Sequence, residues 1–264
     1  MNYNYEHQTG EKTGLIDSYF SFSINSPSEK RQDLIVPDCT PGILYIEQGT
    51  FRRKSMCSED ELESGKLYLF GQKTKTAAYS FNGDKVSASG FKLYPTAIYS
   101  LFGIASHELT DKVVELDFIE NKEDLIELIQ CSENRFNISR RFNQPEVINQ
   151  LIHFIHNRNG IVNVNDICER FGMGYKRLER MFKQYVGVTP KLYARINRFN
   201  YSLKLGMKPQ YNLTDIAYQS GFFDQNHFIK EVKMFCNKAP GEVISQSESV
   251  LEPDHLEYLR SRAY

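Results

Sequence analysis

The sequence predicts an α+β protein. An antiparallel β-barrel with accompanying helices makes the N-terminal half, and an all-α half follows, with two helix-turn-helix units joined by a long helix. Three observations carry that assignment. Short aromatic and β-branched runs punctuated by Gly, Pro, Asn and Asp fill residues 1 to about 92, as the strands of a half-buried sheet require. One pattern occurs twice between residues 164 and 243, about fifty residues apart. Charge also changes sign along the chain. Residues 160–247 hold 13 Lys/Arg against 7 Asp/Glu, the remainder holds 19 against 26, and the whole nets only −1.

In the first half, strands are expected at 18–24, 42–54, 66–72, 77–81 and 86–94. Pro41-Gly42 and Asn82-Gly83-Asp84 break the runs. Asn82-Gly83 predicts a hairpin, because both residues tolerate positive φ. Pro95 opens a helix with Ile98, Leu101 and Phe102 at i, i+3, i+4, and Gly103 closes it. Ser106 and Thr110 are candidate caps for the next turn. A further helix is expected over 121–135, with Leu125, Ile126, Leu128 and Ile129 on its apolar side. Leu125, Ile126 and Ile129 are its candidate dimer contacts. Pro145 suits the first turn of another helix, which Val147, Ile148, Leu151, Ile152 and Ile155 continue with helical periodicity.

The repeat carries the functional reading. Ile167 matches Ile216, Gly172 matches Gly221, Lys183 matches Lys233 and Pro190 matches Pro240, with one residue added after the second glycine. Each copy reads as helix, glycine turn, helix, the unit that lays its second helix in the DNA major groove. In the first copy Leu178, Met181, Phe182 and Tyr185 form a buried stripe. Tyr175, Lys176, Glu179 and Arg180 are left outward as candidate base readers. Arg and Lys suit guanine, and a carboxylate can accept from cytosine. In the second copy Asp224 is an N-cap, while Phe228, Val232 and Phe235 are buried. Gln225, Asn226, Ile229 and Lys230 then face out. Gln and Asn match the two-bond pattern of adenine, and Ile229 can meet a thymine methyl. A helix from about Pro190 to Leu205 would span roughly 24 Å. That stiff connector can hold both reading helices near the one-turn spacing of adjacent major grooves. Lys191, Arg195 and Arg198 on it are candidate phosphate contacts.

Other classes find little support. No apolar run reaches the roughly 18 to 20 residues that span a bilayer, and the start of the chain is polar, so a cytoplasmic protein with no membrane role is expected. The five cysteines, Cys39, Cys57, Cys131, Cys168 and Cys236, are odd in number and form no C-x-x-C pair, which fits a reducing compartment. Cys168 and Cys236 sit at apolar helix positions as small core residues. Within residues 1–140 the histidines are His7 and His107, too few for a metal cluster on facing strands. His153 and His156 lie i, i+3 on a helix and lack an evident third ligand. Gly-rich phosphate loops and nucleophile elbows are missing as well. No metal, no cofactor and no enzymatic activity are expected.

Residues 150–245 closely resemble the C-terminal DNA-binding domain of AraC-family transcription regulators. The resemblance rests on Arg180-Met181-Phe182-Lys183, Gly187-Val188-Thr189-Pro190, Thr214-Asp215-Ile216-Ala217, and Gly221-Phe222 followed by Asp224-Gln225. It implies seven helices and base readers at Lys176, Glu179, Arg180, Gln225, Asn226, Ile229 and Lys230. Val232-Lys233 stands where the family has Phe-Lys, Asn237-Lys238-Ala239-Pro240 where it has Gly-x-Thr-Pro, and Val243-Ile244 where it has Tyr-Arg. These departures predict looser packing or weaker binding in the second unit. Gly71 to Leu116 resembles the small cupin-like barrel domain of one uncharacterised subgroup, which implies a small-molecule effector and dimerisation. The expected layout is a sensing or dimerisation domain at 1–140, a DNA-binding domain at 145–250 and a tail at 251–264. The expected protein is a transcription regulator of activator type, a homodimer on promoter DNA. The alternatives are a DNA-binding stress or repair protein with a reactive cysteine, and a non-catalytic protein-interaction module. The former needs a thiol beside cations, which the sequence around Cys39 lacks.

Overall fold

The computed structural model describes residues 3–9, 15–25, 32–56, 58–117, 122–130 and 145–246. Its first half is one antiparallel sheet of β1 (Tyr3–Thr9), β2 (Ile16–Asn25), β3 (Asp33–Ile35), β4 (Gly42–Lys54), β5 (Glu59–Glu63), β6 (Leu67–Phe70), β7 (Ala77–Leu93) and β8 (Val113–Glu115). The order is β1-β2-β7-β4-β6-β8, with β3 also on β7 and β5 also on β4. Side chains alternate between two faces, as the pleat demands. Phe22, Leu44, Phe51, Leu62, Phe70 and Phe81 meet on the inner face. Ile43, Leu67, Leu69 and Phe91 turn the other way, under α1 (Ala97–Phe102) and α2 (Lys122–Gln130).

Three local expectations change. Asn82-Gly83 makes no hairpin and lies inside the 17-residue β7. The partner of Gln48 is Ser87, whereas the partner of Thr50 is Asn82. The conformational freedom of Gly83 (φ 133) and Gly49 (φ 78) thus goes into an irregular, strongly bent stretch. A Cβ on Gly49 would lie 2.7 Å from Val86 Cγ2, so only glycine fits. Ser106 and Thr110 do not cap. Residues Ser106–Leu109 form a single 3-10 turn with no side-chain cap, and both hydroxyls point to the C-terminal half. Ile129 is fully buried in the core between the sheet and α2, with Leu125 and Ile126 packed partly against it. That side of the helix serves its own domain, so Ile129 offers no dimer surface. Residues 131–135 of the expected helix, Cys57, Cys131 and the 251–264 tail lie outside the described residues.

The second half is α3 (Glu146–His156), α4 (Val164–Arg170), α5 (Tyr175–Tyr185), α6 (Pro190–Gly206), α7 (Leu213–Gln219), α8 (Gln225–Cys236) and α9 (Pro240–Gln246). These are the seven helices the resemblance implied. Four of them start on a side-chain cap. Thr189 accepts from the Leu192 amide with Pro190 in the first turn. Asn212 and Asp215 form a reciprocal capping box on α7. Asp224 accepts from the His227 amide at 2.6 Å. The core gathers Leu151, Ile155, Phe182, Tyr193, Phe199 and Phe228. His156 is spent in this core: its ring stacks on Tyr193 and its Nε2 lies 2.6 Å from the Tyr193 hydroxyl.

The halves touch along three seams. Ser106 Oγ donates to the Tyr185 carbonyl at 2.9 Å and Thr110 Oγ1 to the Gly187 carbonyl at 2.7 Å. Thr76 N and Lys75 Nζ donate to the Phe235 and Met234 carbonyls at the end of α8. Between β3 and β4, Val36 and Cys39 enter the core of the helical half, and Asn200 of α6 donates to the Pro37 carbonyl at 2.9 Å.

Candidate DNA-binding face

The 3.6-residue period sorts α5 into two sides. Leu178 and Phe182 are fully buried and Met181 nearly so. Tyr175, Lys176 and Arg180 are exposed and Glu179 is half-buried, so the first reading set shares one accessible strip. Glu179 pairs with Lys183 at 3.0 Å, one turn on, while Lys176 and Arg180 stand exposed beside that pair. On α8, Phe228, Val232 and Phe235 are buried. Asn226 and Lys230 are exposed, with Gln225 and Ile229 half-buried beside them. Thr214 of α7 donates to Gln225 Oε1 at 3.0 Å, which orients that amide. The predicted strips are therefore both present on amphipathic helices of 11 and 12 residues.

The connector differs from expectation. Lys191 is exposed, as a phosphate contact should be. Arg195 and Arg198 point inward instead. Arg195 grips the buried Glu231 of α8 with two hydrogen bonds of 2.8 and 2.9 Å, and Arg198 approaches the same carboxylate at 3.6 Å. Arg198 also lies over the Phe222 ring at 4.5 Å. Burial alone would raise the Glu231 carboxyl, but the Arg195 bonds and both guanidinium charges outweigh it and hold the group below its ordinary range. The Glu231 bonds raise Arg195, while burial lowers Arg198. The two arginines fasten the connector to the second reading helix. They are withdrawn as phosphate contacts, because a paired and largely buried guanidinium is spent on its partner.

Two further residues had no sequence signal. Phe223 is the residue inserted in the second turn, and it is 92% exposed directly before the cap of α8. Tyr218, 84% exposed, closes α7. Neither breaks helical periodicity, so neither stands out in the sequence. The looser packing expected in the second unit is not found: Val232 is fully buried, and Asn237 supplies the left-handed C-cap (φ 54) that the family fills with glycine, as asparagine can. Of the described cysteines, Cys39 and Cys236 are buried and Cys168 is half-buried. Cys39 is 1% exposed with its thiol directed to the Tyr193 carbonyl, and burial pushes the Cys236 thiol up to about 11. Neither has the accessible setting of a reactive thiol.

A stiff connector flanked by two such units defines a tandem helix-turn-helix domain of the DNA-binding type. Residues 167–246 match the family described as "Helix-turn-helix domain", and residues 13–115 match "Domain of unknown function (DUF6597)". The HTH-type transcriptional activator RhaS of Pectobacterium atrosepticum is 23% identical over 177 residues, 65% of this chain and 62% of that protein. RhaS of Escherichia coli is 32% identical over 91 residues, 34% of this chain and 33% of that protein. The chain thus spans less than two thirds of the curated relatives it matches. Among solved structures, ToxT from Vibrio cholerae superposes with a TM-score of 0.48 at 13% identity, covering 91% of this chain and 98% of that one. The helical half is thus similar in sequence to the DNA-binding part of HTH-type transcriptional activators.

Proposed function

We propose that the protein is a sequence-specific transcription regulator that reads two adjacent major-groove segments, with α5 at one and α8 at the other. The observation that carries this reading is the pair of accessible strips, Tyr175, Lys176, Glu179 and Arg180 on one helix and Gln225, Asn226, Ile229 and Lys230 on the other, locked to one connector. Lys191 adds a phosphate contact. The sheet domain serves as the sensing part, taking a small-molecule effector in its inner face. Two copies pair on a promoter, since avidity adds a factor of about 10² to 10⁴ without new base contacts. The proposed outcome is activation, in keeping with the matched activators, in the cytoplasm and without catalysis.

Footprinting of the full chain on the DNA upstream of its own gene tests this. Protection over two consecutive major-groove segments is expected. With about six phosphates neutralised, log K against log[salt] should slope near −5. Salt-independent affinity, or no binding to any promoter fragment at low salt, would sink the regulator reading. Sedimentation equilibrium of the protein–DNA complex decides the pairing.

A further inference from the structure

Phe223 is 92% exposed, the highest value for any large hydrophobic side chain among the described residues. It stands one residue before Asp224, the N-cap of α8. Its backbone is pinned on both sides. Phe222, just before it, is 4% exposed. That ring packs on Phe228 with centroids 5.3 Å apart and lies under the Arg198 guanidinium at 4.5 Å. On the other side Asp224 accepts from the His227 amide at 2.6 Å, and the Phe223 amide donates to His227 Nδ1 at 3.4 Å. A fixed backbone thus holds an apolar ring in water at the N-terminal end of the second reading helix, where covering it would be favourable.

We propose that Phe223 is a specificity residue that packs on a thymine methyl in the major-groove segment read by α8. The proposal rests on the regulator reading and adds a contact to it. Place sets the partner, because the N-terminal residues of a reading helix are those that reach base edges. Chemistry sets the group. A phenyl ring has no hydrogen bond to offer a phosphate, and the apolar group that the major groove presents is the thymine C5 methyl.

The surroundings agree with that partner. Gln225 and Asn226 follow within one turn, and both side-chain types suit adenine, whose pairing partner is thymine. Thr214 holds the Gln225 amide at 3.0 Å, so the polar reader nearest the ring in sequence is oriented as well. Charge favours a polyanion over an apolar protein surface. Lys230 and Lys233 are exposed further along α8. The carboxylates of this unit's two helix starts are engaged as caps, Asp224 on the His227 amide and Asp215 on the Asn212 amide at 3.1 Å. Phosphates flanking the ring would therefore meet cations. The first unit has a counterpart: Tyr175, 47% exposed, opens α5.

Fluorescence anisotropy of the full chain on its footprinted upstream fragment, with thymines replaced one at a time by uracil, tests this, because uracil lacks only the methyl. One replacement in the α8 segment should weaken binding about fourfold, the worth of one buried methyl group. Phe223→Ala should weaken binding to the thymine fragment by at least as much and should erase the effect of that one replacement. Ile229→Ala should leave that effect in place, which separates the two residues as methyl contacts. Additive losses from Phe223→Ala and uracil at every thymine overturn the proposal, as does unaltered DNA affinity of the Phe223 variant. Lost promoter activation at unaltered affinity would give the ring to a protein partner instead. Should the Phe223 variant fail to fold, the uracil series on the Ile229→Ala chain still decides: no sensitive thymine left in the α8 segment overturns the contact. Any of these outcomes on a chain that binds its promoter leaves the regulator reading standing. Binding to no promoter fragment at low salt removes that reading and the contact together.

Discussion

The two helix-turn-helix units share a pattern but are held in place by different forces. In the first, the inner side of α5 is wholly apolar, and Met181 closes it. Its C-terminal end is docked onto the sheet domain through Ser106, Thr110 and the Tyr99–Tyr185 ring contact at 4.7 Å. In the second, Glu231 stands where the repeat has Met181, and two arginines of the connector close on it. Apolar packing is non-directional, whereas a bidentate ion pair fixes both distance and orientation. Both units are docked on the sheet domain, the second through Thr76 and Lys75 at the end of α8, but the second is also fixed to the connector by its ion pairs. A signal from the sheet domain has more freedom to alter the first unit.

The largest test of this contrast is to make the second unit like the first. Glu231→Met leaves Arg195 and Arg198 without their partner in a partly buried site and should cost about 3 kcal/mol, read by urea denaturation. A loss under about 1 kcal/mol would show that the cluster adds nothing beyond packing. Acid probes the same site. The folded Glu231 carboxyl lies below its ordinary value of 4.5, so its contribution is complete above that value and fades as pH falls through the lower folded value. Glu231→Gln should flatten the stability–pH curve there. An unchanged curve would reassign the acid sensitivity to other carboxylates.

On the DNA side, Arg180→Ala should cost roughly 1 to 3 kcal/mol at the promoter site and spare most binding to random DNA. Equal losses on both would remove Arg180 from the base readers. Smaller effects are expected just past the reading helices, where Gly187 and Asn237 occupy matching positive-φ positions of the repeat. A Cβ on Gly187 would meet the Ser106 carbonyl and Thr110 Oγ1, each at 2.9 Å. Gly187→Ala should therefore cost about 1 to 2 kcal/mol and loosen the sheet domain, seen as faster hydrogen exchange at residues 106–110. Asn237→Ala should cost about 1 kcal/mol with no change there. Identical exchange in the two variants would refute the docking of the Gly187 turn on residues 106–110. The smallest effect is Lys191→Ala, which should lower affinity for all sequences alike and reduce the salt slope by about 1.

Some of this was legible in the residues. The repeat, its turns and both reading strips follow from a 3.6-residue period with glycines at φ 59 and 69, because helix and tight turn are local and each residue type reports its own preference. The Asp224 cap of α8 was readable for the same reason, whereas the number of helices came from the family resemblance. The strand runs were readable, but the bend at Asn82-Gly83 was not, because one dipeptide suits a hairpin or an irregular stretch and the facing Gly49 decides between them.

What the tertiary structure alone decided is every pairing between groups distant in sequence. Arg195 and Arg198 read as solvent-facing cations until α8 brings Glu231 to them, since a charge in a helical sequence carries no mark of what will lie opposite. The apolar side of α2 read as a dimer contact, and the sheet beneath Ile129 takes that residue into the core instead. The pocket on the inner face of the sheet draws its walls from several strands and its polar end from Asp38, Thr40, Lys73 and Lys92. The sequence determined two reading helices by local periodicity. Long-range packing determined what holds them, because burial and charge pairing belong to the assembled chain and not to any one segment.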